Sequence, residues 1–483
     1  MVGVPGRSKA CVTCRKRRKG CDFGRPTCAQ CRKHELQCGG YESQRVFVVS
    51  TPEARQPGYS AGDTSKAHRR ICPANNVWPT VTNLQQLSRP EDERRCIDLF
   101  WETYFPSGRP IPHPAIRSYT CTWTETARNS WQDEDTLRFA LWANSLLMAG
   151  RRHQEEWMVR ESSKMYGKAL AELRKSLSAS RGVNKEASIA TVKLLSMFEA
   201  LVQQEQSSSQ PTDWQRHNAG ELALFVARKP ESHQDGDAHY IFADERVEMA
   251  LSSILQRKKL VLSDPSWKTV PWKVTPKNLK DVLVDVLVDM PGLVEEFDAM
   301  IQSLRDLESH ITSSAQQDAA VISAATLRDG FLQKCWEGDR QLLDWSQHGL
   351  DNHGQDLVIQ IAQVHGMSLY WTTALVLYTM MQAASNLCLS FEPRPIKIPV
   401  DSSPTRLAPG QEVPFFVDRL NPLSHANKLV DALSILLQPS ARLYGQRSAA
   451  LPLEVALHGN GISREQILVK LQRLKKQLDK GFA

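Results

Sequence analysis

CVTCRKRRKGCDFGRPTCAQCRKHELQC, residues Cys11–Cys38, holds six of the chain's 11 cysteines. Its spacing is C-x2-C-x6-C-x6-C-x2-C-x6-C, and both halves, CVTCRKRRKGC and CAQCRKHELQC, read C-x2-C-R-K-x4-C. A duplicated half-site implies two equivalent metal positions. Each half offers three thiolates, whereas tetrahedral zinc takes four. The deficit closes if two thiolates bridge two zinc ions, so that six ligands fill eight coordination positions. Six thiolates and two zinc ions leave a negative cluster, which the basic run Arg15–Lys19 and Arg25 offset. Metal is also needed for folding. The segment is shorter than the ~40 residues at which chains usually fold without staples or metals. Its large apolar side chains are Val12, Phe23 and Leu36. Coordination supplies folding free energy on the order of 10 kcal/mol in structural zinc sites. Disulfides would need an oxidising compartment, and iron–sulfur clusters take four thiolates each at other spacings. RING or Cys2His2 arrangements need histidine ligands, and His34 stands at the wrong offset.

Charge concentrates in the same place. Residues 1–40 carry ten Lys or Arg against Asp22 and Glu35, while the whole 483-residue chain has a formal net charge of only +7. A basic head on a near-neutral body points to a polyanion as the head's partner. Ser8 reads as the cap of a short helix ended by Gly20, with Arg15, Lys16, Arg17, Arg18 and Lys19 towards its C-terminal end. Arg or Lys there can donate to guanine O6 and N7 in the major groove. MVGVPGRSKA lacks the apolar run of a secretory signal. Cys72, Cys96, Cys121, Cys335 and Cys388 are isolated and odd in number, which suits a reducing compartment.

Outward from the head, residues 41–87 keep no helical or strand period and read as a flexible linker, RVFVV (Arg45–Val49) being a brief apolar exception. It contains no heptad run. From residue 88 to 483 the pattern is helical: Asp133–Gly150 is apolar nearly all round. Further helices fit Asn278–Val288, Leu293–Ile311, Ala324–Trp345, Gln355–Asn386 and Leu423–Leu437. Gly366–Phe391 is uncharged but rich in Ser and Thr without a basic flank, so it reads as a buried helix pair rather than a membrane span. Near the end, Ser463 and Gln466 have capping-box spacing, and Ile467, Leu471, Leu474 and Leu478 form a stripe that packs on the body rather than pairing as a zipper. The fold class is therefore all-α, with a small metal-held head at 1–40, a linker at 41–87 and a large helical body at 88–483. P-loop, H-E-x-x-H and G-x-S-x-G motifs are missing, and Gly459–Gly461 is a lone Gly-x-Gly loop. No catalytic residue is assigned.

The cysteine spacings, CRKRRKGCD and Pro26 two places before the fourth cysteine resemble the fungal binuclear zinc-cluster (Zn2Cys6) transcription factors. That resemblance implies that Cys11 and Cys28 bridge, that Cys14 and Cys21 complete one zinc site, and that Cys31 and Cys38 complete the other. It places Pro26 in the loop joining the halves. It also implies that Arg17 and Arg18 read a CGG triplet, where Lys is common in the family, with Arg15, Lys16, Lys19, Arg32 and Lys33 on phosphates. Gly20 stands where a Lys often precedes the third cysteine. Trp214, His217 and Gly220, followed by Asp264, Pro265, Trp267, Pro271 and Trp272, resemble the helical fungal-specific transcription factor domain found behind such clusters. Here His217 and the tryptophans read as packing residues. The expectation is a nuclear transcription regulator with two zinc ions that binds double-stranded DNA and meets the transcription machinery, with no membrane. A homodimer is allowed but has no linker coiled coil to support it. The rival readings are a helical enzyme or ligand-binding protein with an accessory zinc domain, and an RNA-binding scaffold.

Overall fold

Helix is the only regular structure among the described residues, which in this computed structural model are 10–17, 19–22, 24, 27–38, 90–108, 122–178, 186–203, 213–310, 313–348, 357–387, 419–458 and 465–481. The linker read at 41–87 lies outside them, as do Ser8, Arg18, Arg25, Pro26, Ser463 and Gly459–Gly461. The side chains of Arg15, Trp214, His217 and Gln466 are likewise outside the description. The chain divides into two units, Met1–Trp78 and Pro79–Ala483.

In the first unit, α1 (Val12–Lys16) and α2 (Ala29–Lys33) are one-turn helices. A cysteine caps each. The Cys14 N–H donates to Cys11 Sγ and the Cys31 N–H to Cys28 Sγ, both at 3.3 Å. The cap of the first helix is therefore Cys11. Gly20 does not end that helix either, because Lys19 N–H already closes it on the Cys14 carbonyl at 3.1 Å.

The second unit holds α3 (Pro90–Tyr104), α4 (Thr122–Ser130), α5 (Asp135–His153), α6 (Glu156–Ser178), α7 (Glu186–Gln203), α8 (Asp213–Arg228), α9 (Gly236–Gln256), α10 (Pro265–Thr269), α11 (Leu279–Leu287), α12 (Met290–Ser309), α13 (Ser314–His348), α14 (Leu357–Asn386), α15 (Pro422–Leu436), α16 (Arg442–His458) and α17 (Glu465–Gly481). Helices α5 and α6 form a hairpin. Gln154 takes the left-handed conformation at its turn, φ 57°. At Gly150 any Cβ would press on Met158 and Val159, so only glycine lets the two helices approach there.

The interior of the body is built around α9 and α14. Helix α9 touches α4, α7, α8, α11, α12 and α16, while α14 lies against α11, α12, α13, α15 and α16. A helix enclosed on all sides must satisfy its own polar groups. Thr372 and Thr373 do so by donating to the Ser368 and Leu369 carbonyls one turn back, at 2.7 and 2.8 Å. This corrects the helix pair read from Gly366–Phe391: residues 357–386 are one continuous helix. No helix among the described residues is long and apolar enough to cross a membrane. The Asp264–Trp272 segment packs Trp267 and Trp272 against Phe242, with ring centroids 5.6 and 5.8 Å away. Arg246, fully buried, lies 4.0 Å from the Trp272 ring centre and pairs with Asp285 at 2.6 Å. The Asn278/Asp281 capping box opens α11.

Candidate metal centre and nucleic-acid interface

The six cysteines of the head come together through short local structure. Cys11, Cys14, Cys28 and Cys31 are buried, while Cys21 and Cys38 are half-buried. Their Sγ atoms form two overlapping quartets, Cys11–Cys14–Cys21–Cys28 and Cys11–Cys28–Cys31–Cys38, each with all members within 4.8 Å of one another. Cys11 and Cys28 belong to both and stand 3.7 Å apart; Cys14 to Cys28 is 3.6 Å. Disulfide sulfurs lie about 2 Å apart, so these are free thiols. The edge of a sulfur tetrahedron around zinc, with Zn–S near 2.3 Å, is about 3.8 Å. The sulfur set therefore fits zinc and no disulfide.

The repeat seen in the sequence is also a repeat in space. Besides the two thiol caps, Lys19 N–H reaches the Cys14 carbonyl and Leu36 N–H the Cys31 carbonyl, at 3.1 and 2.9 Å. Both bonds span five residues, the closure typical of a Schellman turn. In the second half Glu35 supplies the left-handed residue, φ 53°. Besides the thiol contacts, bonds of Thr13 and Asp22 join the halves. Thr13 Oγ1 donates to the Gln37 carbonyl at 2.9 Å, and Ala29 N–H donates to Asp22 Oδ1 at 2.8 Å. The second bond holds the Asp22 carboxyl below the usual carboxylate range. Nothing in the spacing pointed to Asp22. Its one signal is to be an acid directly after the third cysteine of a basic head.

Packing makes the Cys11, Cys14 and Cys31 thiols reluctant to ionise. Burial, with hydrogen bonds from neighbouring thiols, pushes Cys31 up to about 12 and Cys14 well above its ordinary value. A multivalent cation reverses that preference by replacing the protons, since a coordinating thiol is deprotonated outright. All six cysteines are placed to hold such ions.

The basic residues sit around this core. Lys16 ends α1, and Arg17 and Lys19 follow in its closing turn, all exposed. Arg32 and Lys33 are exposed at the end of α2. Arg32 Nη2 donates to the Thr27 carbonyl at 3.2 Å, which ties its guanidinium to its own half. The side chains of Arg15 and Arg18 lie outside the described residues.

Residues 9–45 match the fungal Zn(2)-Cys(6) binuclear cluster domain. The chain is 23% identical over 157 residues to an uncharacterized protein of Emericella nidulans, a match covering 30% of this chain and 32% of that protein. It is 32% identical over 106 residues to the aspercryptin biosynthesis cluster-specific transcription regulator atnN of Emericella nidulans, covering 20% of this chain and 16% of that protein. The matches thus span a third or less of the curated relatives' lengths. No solved structure matches the chain. With the sulfur geometry, the domain match makes the head a Zn2Cys6 cluster domain that binds two zinc ions.

Proposed function

We propose that the chain is a nuclear, sequence-specific DNA-binding transcription regulator whose head reads CGG-containing sites and whose body, residues 88–483, regulates or recruits the transcription machinery. The observation that carries this reading is the pair of overlapping cysteine quartets with exposed Lys16, Arg17, Lys19, Arg32 and Lys33 around them. Cys11 and Cys28 bridge the two zinc ions; Cys14 and Cys21 complete one site and Cys31 and Cys38 the other. Arg17 and Arg18 read guanines, and Arg15, Lys16, Lys19, Arg32 and Lys33 hold phosphates. The same basic run serves nuclear import. The chain acts as a regulator rather than an enzyme. That one relative carries the name of a biosynthesis-cluster regulator supports a metabolic gene cluster as the target.

Base-reading and phosphate-holding residues differ in kind, and this gives the test. Losing a guanine contact should cost ~1–3 kcal/mol and relax preference at one position. Losing a phosphate contact should weaken all duplexes alike and lower the salt slope by about one unit. Arg18→Ala should therefore flatten discrimination between a CGG duplex and a mutated triplet, while Lys33→Ala should leave that ratio intact. Titrations of both duplexes at two salt concentrations decide it. Equal loss of discrimination in both variants would show that the reading helix is wrongly assigned. Selection from random duplex DNA and from RNA, run side by side, separates this function from an RNA scaffold.

A further inference from the structure

Helices α9, α12, α14 and α16 leave a cavity of about 230 Å³ between them. Its walls include Ile254, Val294, Phe297, Leu375, Met380 and Val455, all buried. Protein interiors are close-packed, and voids that outsize a water molecule are few. Apolar cavities stay dry, because a water needs several polar partners, and they take up apolar guests instead. An engineered cavity of ~150 Å³ holds benzene, so by volume this one holds a guest of about nine heavy atoms.

The polar residues of the lining, Arg257, Thr379 and His458, set the chemistry. Arg257 and His458 reach solvent at the mouth, and both are partnered. Arg257 donates from Nε and Nη2 to Asp298 of α12, at 2.6 and 2.5 Å. His458 Nδ1 lies 2.9 Å from the Glu454 carbonyl, and the Glu454 carboxylate pairs with Lys475. An ionic guest therefore meets balanced charges at the mouth and apolar walls inside, where an unpaired charge is costly. Thr379 differs from the other serines and threonines of α14. Ser368, Thr372, Thr373 and Ser385 each donate to a carbonyl about one turn back. Thr379 Oγ1 has no hydrogen-bond partner among the described residues, so the hydroxyl is available to a guest. The Phe297 ring is set by Phe331 of α13, with centroids 5.5 Å apart, and Met380 brings a polarisable thioether. Both contacts favour an aromatic guest over an aliphatic one.

We propose that this cavity binds a flat, neutral aromatic metabolite of about nine heavy atoms, whose one N–H or O–H bonds to Thr379. The proposal goes beyond the DNA-binding reading and stands without it, since neither the cysteine cluster nor the basic residues of the head take part.

Calorimetric titration of the zinc-loaded full chain with indole, indene and benzoate, which have equal numbers of heavy atoms, tests it. Indole should bind saturably, one molecule per chain. Benzoate should bind at least about tenfold more weakly, because it carries an uncompensated charge into the apolar space. Thr379→Val keeps the shape and removes the hydroxyl. The preference for indole over indene, which lacks the N–H, should then fall about two- to tenfold, the worth of one neutral hydrogen bond. Val455→Trp brings a tethered indole into the cavity and should abolish binding. The proposal is overturned by an absence of saturable indole binding or by benzoate binding as tightly as indole. It is equally overturned by full indole binding in a folded Val455→Trp chain, or by an indole-to-indene ratio that Thr379→Val leaves unmoved. The indole and benzoate readings come from the unaltered chain, so they stand even if a variant does not fold.

Discussion

Asp22 shows how a single side chain sets the head's geometry. It follows Cys21 directly, yet its carboxylate reaches seven residues ahead to the Ala29 N–H that opens the second half. Its lowered pKa means that the contribution to stability is present above the ordinary carboxylate value and is lost as pH falls through the lowered one. Asp22→Ala should therefore release zinc to a chelator severalfold faster, and competition with a colorimetric chelator would read this. Unchanged release would remove Asp22 from the joint between the halves. The six thiols were legible in the sequence because their spacing is itself a chelating pattern. Asp22 was not, because its partner is fixed only once both halves have folded. The caps were misread for a related reason: Ser8 matches the preferences for a helix start, but Cys11 sits next to α1 and its sulfur takes the N–H. Arg246 was also invisible. An arginine in an amphipathic pattern reads as solvent-facing, whereas here it is fully buried between Trp272 and Asp285. Arg246→Ala should cost about 3–5 kcal/mol, the usual loss when one partner of a buried pair is removed. Arg246→Lys should not restore it, because a point charge cannot reproduce the planar fork. Denaturant unfolding of both variants gives the comparison.

Among whole elements, those with a strong apolar period were legible and those defined by their surroundings were not. The stripe Ile467, Leu471, Leu474 and Leu478 lies buried along α17, which packs on α15 and α16, as expected for a terminal helix docked on its own body. Helix α13 begins at Ser314, ten residues before the position read from the sequence. Its early turns are largely exposed and rich in Ala, Ser and Gln, so they carry no apolar stripe. The helix read at Gln355–Asn386 is α14, Leu357–Asn386, whereas the pair read within Gly366–Phe391 overlooked that its hydroxyls need not interrupt a helix. Those of Thr372 and Thr373 are bonded within the helix, which an apolar count cannot see. Leu471 is fully buried. Leu471→Ala should lower the body's unfolding free energy by about 2–5 kcal/mol, the range for a buried leucine cut to alanine. If the stripe served as a dimer zipper, the variant would instead shift the association state in sedimentation at unchanged monomer stability.

At the scale of the whole molecule, two kinds of stability are joined in one chain. The head has almost no apolar interior among its described residues: beyond Ala10, its buried cluster is cysteine. Its folded state is therefore tied to metal binding. The body, Pro79–Ala483, has its own interior of packed helices. Its pH response should come from buried groups of opposite sign. Burial lowers His233 and His365 from 6.5 to about 4, so their contribution to stability is present above 6.5 and is lost as pH falls towards 4. Burial raises Glu245 from 4.5 to about 7, so it gives stability that is present below 4.5 and is lost as pH rises towards 7; burial raises Glu221 in the same direction. The two trends oppose each other across the same window. Glu221→Gln should leave the histidines more nearly unopposed and steepen the loss of Tm between pH 6.5 and 4; an unchanged slope would mean that Glu221 does not oppose them.

Metal removal separates the two kinds of stability most cleanly. A chelator strong enough to strip both zinc ions takes away the +4 charge that holds six thiolates within a few ångströms. The thiols then either repel one another as anions or take up protons and lose their bonds. Either way the head unfolds and duplex binding should disappear. The body should lose nothing in this step, because its helices bury their own apolar faces. Its helical circular dichroism and its unfolding midpoint should stay within error of the zinc-loaded chain. Returning two equivalents of zinc should restore duplex binding, and one equivalent should restore only a fraction of it, because the shared thiolates couple the two sites. A body that melted on chelation would mean that the two units stabilise each other, and full recovery at one equivalent would refute the bridged pair.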